Sequence, residues 1–305
     1  MFKRNIILDC DPGHDDAIAL LLACYSHRLN LLAVTTCSGN QTIDKTSLNA
    51  SNLLHFFSKD VPLAKGSPTP ISRKVFTCPE IHGESGLDGY DFPNYEHKYD
   101  SRSGYQLIID TLLKHRHVTV ITTGPMTNLA LAISHNKEIL KHIDKIVLMG
   151  GSTTKGNMNE YAEFNILVDP EAADICFNSG RPIRMIGLNV TRKILVKDHI
   201  VNEASKINSK NADLFVKLMK VFNENQRNFF SLEAGPLHDP ATIISLLDRR
   251  VFKFKKMNVS IDTSNSIKAG QTVCKDKKPY NAEVAIKVNL DRYWKNIFKY
   301  LRRER

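Results

Sequence analysis

The chain has 305 residues, is 42% hydrophobic and 24% charged, and carries a formal net charge of +10. That is ample apolar content for one large core, so a single domain over residues 1–305 is expected. No stretch approaches the ~18 consecutive apolar residues of a membrane span, and MFKRNIILD enters the first strand without the apolar region of a signal peptide, so a cytoplasmic protein with no membrane partner is expected.

The charge excess is local. Residues 249–305 hold 16 Lys/Arg against 5 Asp/Glu, in RRVFKFKK, KDKK and KYLRRER, with no RNA-binding signature or repeated basic and aromatic interleaving. A solvated face is expected there, and no nucleic-acid partner. The six cysteines, Cys10, Cys24, Cys37, Cys78, Cys176 and Cys274, form no CxxC pair. Reduced, mostly buried thiols are expected, without zinc or redox chemistry.

Along the chain, Asn5 to Leu8 is a continuous apolar run of the kind that forms a buried parallel strand, and His14 to Tyr25 carries apolar residues at helical spacing. Pro12 and Gly13 then fall in a strand-to-helix turn, at the sheet edge where open α/β folds bind ligands. Further strand-like runs at 30–37, 117–123, 144–150 and 183–189 alternate with helical patterns at 42–58, 103–115, 125–135 and 169–179. Such alternation predicts βαβ units, a mainly parallel sheet and right-handed crossovers. Residues 65–101 and 151–165 are long polar connections, which inside a compact domain usually carry function. Helical stretches at 197–207, 211–230 and 239–248 follow, then strands at 251–262 and 282–290 and a terminal amphipathic helix.

The chemistry concentrates at strand ends. DCDPGHDDAIAL places Asp9, Asp11, Asp15 and Asp16 within eight positions. Carboxylates so close repel one another unless they are solvated, protonated or bridged by a hard cation with oxygen ligands, Ca²⁺ or Mg²⁺. A helix-start charge pair with an Asx turn is the plainer alternative. Asn40 ends the second run, Thr123 and Asn128 flank a turn after the third, and Glu163 and Asn165 would point the same way if residues 163–165 were extended, with Asn157 in the same loop. His238 and Asp239 precede a helix, where Asp239 suits an N-cap with Pro240 at N1. His82 reads by default as a surface-loop residue and His14 as structural.

An acidic metal pocket, amide and carboxylate groups suited to a polyhydroxylated ligand, and histidines for an acid step together suit sugar chemistry. Cleaving a glycosidic bond needs an activated water on one face and help for the leaving group on the other. A metal makes water acidic enough for an adjacent Asp to deprotonate.

At this point the sequence resembles the inosine-uridine preferring nucleoside hydrolases. DCDPGHDDAIAL, VTTCSGNQT, IHGESGLDG, ITTGPMTNLALA, VLMGG, AEFNILVDPEAA and LHDPATI occur in that family's order, from about residue 5 to the terminal helix. The resemblance implies a Rossmann-like open, mostly parallel sheet with flanking helices, one Ca²⁺ per subunit, and hydrolysis of ribonucleosides to ribose and free base. It makes Asp11, Asp16 and Asp239 calcium ligands through their carboxylates and Thr123 a ligand through its backbone carbonyl, with Asp11 also the general base. It gives the ribose to Asp15, Asn40, Asn157, Glu163 and Asn165, with Phe164 lining the same pocket. His238 matches the residue that assists departure of the base, and His82 a second histidine near the nucleobase that marks the branch not restricted to purines. A homo-oligomer, tetramer or dimer, is implied as well.

Two rival readings differ in class. Asp9 and Asp11 mimic the DxD of haloacid dehalogenase-like phosphatases, but Gly13 stands where that motif has Thr or Val. A catalytically inactive nucleoside-binding protein would share the fold, but here the implied ligands and base are all present. Before HDP, some family members set Tyr and Arg against the base, whereas this chain reads QRNFFSLEAGPL. Arg227, Phe229 and Phe230 are therefore expected to do no more than line the pocket.

Overall fold

Strand β1, Arg4–Cys10, alternates its side chains between two cores: Ile6 and Leu8 join one apolar cluster and Ile7 the other. The pattern marks a strand buried on both faces by helices, and it repeats in the strands beside it. The structure is a computed structural model that describes residues 3–303. The other strands are β2 Leu29–Thr36, β3 Leu63–Lys65, β4 Val118–Thr122, β5 Ile143–Met149, β6 Ile183–Ile186, β7 Phe252–Ile261, β8 Thr272–Lys275 and β9 Ala282–Val288. The sheet order is β3-β2-β1-β4-β5-β6-β9-β7-β8. Strands β1 to β6 are parallel and β9 joins β6 in the same sense, while β7 pairs antiparallel with β9 and β8 with β7.

The helices are α1 His14–Tyr25, α2 Ile43–Phe56, α3 Pro79–His82, α4 Gly104–Lys114, α5 Thr127–His135, α6 Phe164–Val168, α7 Pro170–Phe177, α8 Leu188–Thr191, α9 Asp198–Ser205, α10 Lys210–Phe230, α11 Pro240–Leu247 and α12 Leu290–Leu301. Helices α1, α10, α11 and α12 cover the face that Leu8 points to, and α4, α5 and α7 the face of Ile7. On α12, Tyr293, Trp294, Ile297, Tyr300 and Leu301 are buried at helical spacing, and the Tyr293 hydroxyl donates to the Leu237 carbonyl at 3.0 Å. That bond anchors the segment leading into His238. No helix among the described residues is long and apolar enough to cross a membrane.

The α/β class, the alternation and the parallel sheet match the sequence-based expectation. One strand does not: the run at 183–189 ends as a strand at Ile186, and Leu188–Thr191 is a helical turn. The run was apolar throughout, and periodicity alone does not separate a short buried strand from a buried helical turn. Short elements with little pattern, β3, β8 and α3, went unseen.

The order reverses at β1, whose neighbours β2 and β4 are reached in opposite directions. This makes the carboxyl end of β1 the topological switch point, where an open α/β sheet leaves a crevice for ligands. Asp11 follows β1, Asn40 follows β2 and Thr123 follows β4, so the topology alone gathers them at one edge.

Candidate active site

Asp11 emerges from β1 fully buried. Its Oδ2 accepts the backbone N–H of Asn40 at 2.8 Å, and its Oδ1 is buried with no hydrogen-bond partner. An orphaned carboxylate oxygen in a closed interior is costly unless something positive or protic meets it. Asp15 and Asp16 lie in the first turn of α1, where the helix dipole favours negative charge. Asp16 accepts from the Thr123 hydroxyl at 2.7 Å, the Asn40 amide at 3.0 Å and the Gly13 backbone N–H at 3.1 Å. Asp239 reaches the same point from the start of α11. Oxygens of Asp15, Asp16 and Asp239 lie within 4.8 Å of one another, all three residues buried.

Among the described residues no lysine or arginine pairs with this group. Burial and the neighbouring carboxylates push Asp11 and Asp239 well above the ordinary carboxylate range, and burial raises Asp15 and Asp16. The donor set is hard oxygen, the charge is strongly negative, and one oxygen is unclaimed, so the residues fit a hard divalent cation. The tightest oxygen group includes Asp15, which sequence reading gave to the sugar, with Asp11 beside it.

Asp9 is a correction to the four-carboxylate reading. Its Oδ1 accepts from Thr35 at 2.6 Å and Asn128 at 2.8 Å, bracing β1 to β2 and to α5, and burial raises it to about 7. Its hydrogen bonds are structural, although its Oδ2 is buried without a partner as Oδ1 of Asp11 is, and Asn128 is spent on it, on the Thr36 carbonyl and on the Ser67 N–H. Asp239 makes no side-chain cap bond, so the capping alternative fails as well.

Above the carboxylates is a cavity of about 380 Å³. Asp15, Asn40, Thr123, Asn157, Glu163 and Asn165 line it with polar groups, and Phe164, His82 and His238 also line it. Glu163 and Asn165 do not share an extended segment. Glu163 caps α6, taking the N–H groups of Asn165 at 3.0 Å, Ile166 at 3.3 Å and Gly151 at 2.9 Å. The expectation of extended backbone missed a helix only five residues long. Glu163 is nonetheless raised to about 7 by burial. The Asn165 side-chain amide donates to the backbone carbonyl of Thr123 at 2.7 Å, and the side-chain Oδ1 of Asn157 accepts the Phe164 N–H at 2.9 Å.

His82 is not on the surface: it ends α3 and is 5% exposed. Burial depresses it well below the usual histidine range, and burial with the nearby Arg192 takes His238 down to about 3. His238 Nδ1 lies 2.7 Å from the Thr191 hydroxyl. Both rings are therefore neutral near pH 7 and act as hydrogen-bonding groups rather than as stored protons.

Of Arg227, Phe229 and Phe230, only Phe230 lines the cavity. Arg227 pairs with Asp198 at the surface, and Phe229 is 57% exposed. Sequence reading missed Phe222 and Gln226, which line the cavity one turn apart on α10, and Arg192, whose guanidinium holds the carbonyls of Lys155 and Gly156 in the loop that carries Asn157. The 222, 226, 230 spacing was the available signal for the first two.

The profile of the family described as inosine-uridine preferring nucleoside hydrolase matches residues 6–295. The chain is 43% identical, over 94% of its length and 95% of the relative's, to the pyrimidine-specific ribonucleoside hydrolase RihA of Photobacterium profundum. It is 38% identical, over 96% of each chain, to the pyrimidine-specific ribonucleoside hydrolase RihB of Shigella flexneri. Among solved structures, the purine-preferring ribonucleoside hydrolase from Gardnerella vaginalis superposes with a TM-score of 0.90 at 29% identity, covering 98% of this chain and 99% of that one.

Proposed function

The chain belongs to the inosine-uridine preferring nucleoside hydrolase family and is an enzyme acting on nucleosides; from that premise we propose that it is a Ca²⁺-dependent hydrolase of the N-glycosidic bond of pyrimidine ribonucleosides, uridine and cytidine first, with inosine as a further substrate. The observation that carries this reading is the unclaimed Oδ1 of Asp11, buried near the clustered carboxylates of Asp15, Asp16 and Asp239 beneath a cavity lined by both polar and apolar groups. The names of the two relatives at 38–43% identity support the pyrimidine ranking.

Asp11, Asp16 and Asp239 would hold the ion with the carbonyl of Thr123, and Asp15 stands close enough to share it. When bound, the cation supplies a fixed positive charge that keeps these carboxylates ionised and eases deprotonation of an adjacent water. Asp11 then acts as the base: Oδ1 takes a proton as the water oxygen bonds to the anomeric carbon, and the electron pair of the C–N bond leaves with the nucleobase. Asp15, Asn40, Asn157, Glu163 and Asn165 hold the ribose hydroxyls, and the anionic groups among them favour the positive charge that develops on the sugar ring. His82 and His238 donate hydrogen bonds to the departing base. Phe164, Phe222 and Phe230 exclude water from its surroundings. A homo-oligomer belongs to the same reading, and light scattering reads it.

The test is ribose release from a panel of uridine, cytidine, inosine and adenosine, with chelator and with Ca²⁺ restored. Release from uridine that chelator abolishes and Ca²⁺ restores supports the reading. Absence of release from every nucleoside with Ca²⁺ present would remove it.

A further inference from the structure

The loop that carries Asn157 is laid along α8 and fastened to it at intervals. The backbone N–H of Leu188 donates to the Gly151 carbonyl at 2.9 Å, and the Thr153 N–H donates to the side-chain Oδ1 of Asn189 at 3.4 Å. The outermost tie is Arg192, the residue just past the end of α8. Its Nη1 donates to the Lys155 carbonyl at 2.9 Å and its Nη2 to the Gly156 carbonyl. Two nitrogens of one rigid plane thus take two successive carbonyls, a match of shape as well as charge. Arg192 is half-buried, and among the described residues lining the cavity it is the one lysine or arginine.

Gly156 is held between two elements by this grip. Its N–H donates to the Glu160 carbonyl at 3.1 Å, and a Cβ on it would stand 2.1 Å from the Ala162 carbonyl oxygen, so glycine is required for the approach. Asn157 follows directly, with its N–H on the Ala162 carbonyl at 3.1 Å and its Oδ1 on the Phe164 N–H. These contacts all lie within residues 156–164, so they shape the turn without placing it on the rest of the molecule. Its later end is placed by the bridge from Ala162 to Gln271 and by Glu163, which takes the Gly151 N–H. Its earlier end, residues 155 and 156, is placed by Arg192.

We infer that Arg192 is a positioning residue: its guanidinium fork clamps residues 155 and 156 to the end of α8, and through that clamp it holds Asn157 where the ribose is bound. The inference rests on the nucleoside hydrolase reading, which gives Asn157 to the sugar. Loss of the fork frees the earlier arm of the turn while α6 and its cap Glu163 stay in place. Binding of the sugar then suffers more than the chemical step.

Trypsin reads the clamp without turnover, because Lys155 is exposed and the carbonyl that Arg192 holds belongs to the Lys155–Gly156 bond that trypsin cuts. In Ca²⁺-supplemented Arg192→Met, nicking at this bond is expected ~10-fold faster than in the wild type, with the thermal transition and the other tryptic cuts little changed. Equal nicking overturns the inference. In kinetics, KM for uridine is expected to rise ~10-fold in Arg192→Met while kcat stays within about 3-fold. In an Asn157→Ala background the same change is expected to add little, since residues that act through one contact do not add. Additive losses, or a fall confined to kcat, overturn it. Arg192→Lys keeps the positive charge near His238 but loses the planar fork. Faster nicking and a raised KM are expected there too, and wild-type behaviour on both counts would overturn the clamp in favour of charge alone. If Arg192→Met loses the wild-type thermal transition, Arg192→Lys is judged by the same measurements. Absence of ribose release by the wild type would defeat the functional reading, whereas the nicking rate decides the clamp independently.

Discussion

Gly39 meets Asp11 with bare backbone: a Cβ at position 39 would stand 2.1 Å from Oδ2 of Asp11, the oxygen that also takes the Asn40 N–H. The turn after β2 thus fixes one carboxylate oxygen and leaves the other free. Gly39→Ala is expected to lower kcat by ~10²-fold through misplacement of the base by about an ångström. Asp11→Asn is expected to lose at least as much with Ca²⁺ present, since base and ligand charge go together. Steady-state turnover of uridine checks both, and near-normal kcat in Asp11→Asn would take the base role from Asp11.

Cation binding should be readable without turnover. A ligand held at about 100 times its Kd adds ~2.7 kcal/mol to stability, so Ca²⁺ is expected to raise the thermal transition of chelator-treated protein. Asp239→Asn and Asp16→Asn should blunt that rise. Calorimetry showing no shift with Ca²⁺ in the wild type would argue against a resident ion.

For the sugar, a site built to hydrogen-bond a hydroxyl leaves buried groups unpaired when the hydroxyl is missing. With Asp15, Asn40, Glu163 and Asn165 lining the cavity, kcat/KM for 2′-deoxyuridine is expected at least ~10²-fold below that for uridine. Comparable efficiencies would move these residues out of the ribose role.

His238, held at about 3 by burial and Arg192, is neutral at working pH and donates a hydrogen bond to the departing base. His238→Ala is therefore expected to impair uridine far more than nitrophenyl riboside. Parallel losses on the two substrates would assign His238 to binding or structure.

Glu163 titrates near 7, against 4.5 for an ordinary glutamate. A raised carboxyl makes the native state bind more protons than the unfolded one between these values, so its stabilising contribution is complete below about 4.5 and fades as pH climbs through 7. Glu163→Gln forfeits acceptor capacity for three backbone N–H groups, a loss of roughly 1–3 kcal/mol. Urea denaturation is expected to show a larger deficit for the variant at pH 5 than at pH 8. A deficit that grows with pH would contradict the assignment.

Periodicity and turn chemistry made the sheet, the first helix and the strand-end carboxylates legible, because buried parallel strands are apolar runs and Asp-Pro-Gly marks a turn. The ordered motifs added the distant partners, Asp239 and Glu163. Illegible were the features set by three-dimensional approach: Asp9 diverted to Thr35 and Asn128, Glu163 as a helix cap, and His14 against His82, 68 residues away. Spacing in sequence says nothing about which of two neighbouring carboxylates faces a cavity. Burial of His82 was hidden because α3 is one turn of helix within an irregular stretch.

Helix α1, which carries Asp15 and Asp16, packs on α11, which begins beside Asp239, more than two hundred residues further along the chain. During synthesis the acidic turn emerges first and waits, its charges repelling, while most of the sheet is made. Contacts so distant in sequence are slow to form and leave apolar surface exposed meanwhile. The protein is thus expected to depend on chaperones more than a helical bundle of its size, and truncation ahead of residue 239 leaves a chain that keeps most of its strands yet never closes its centre.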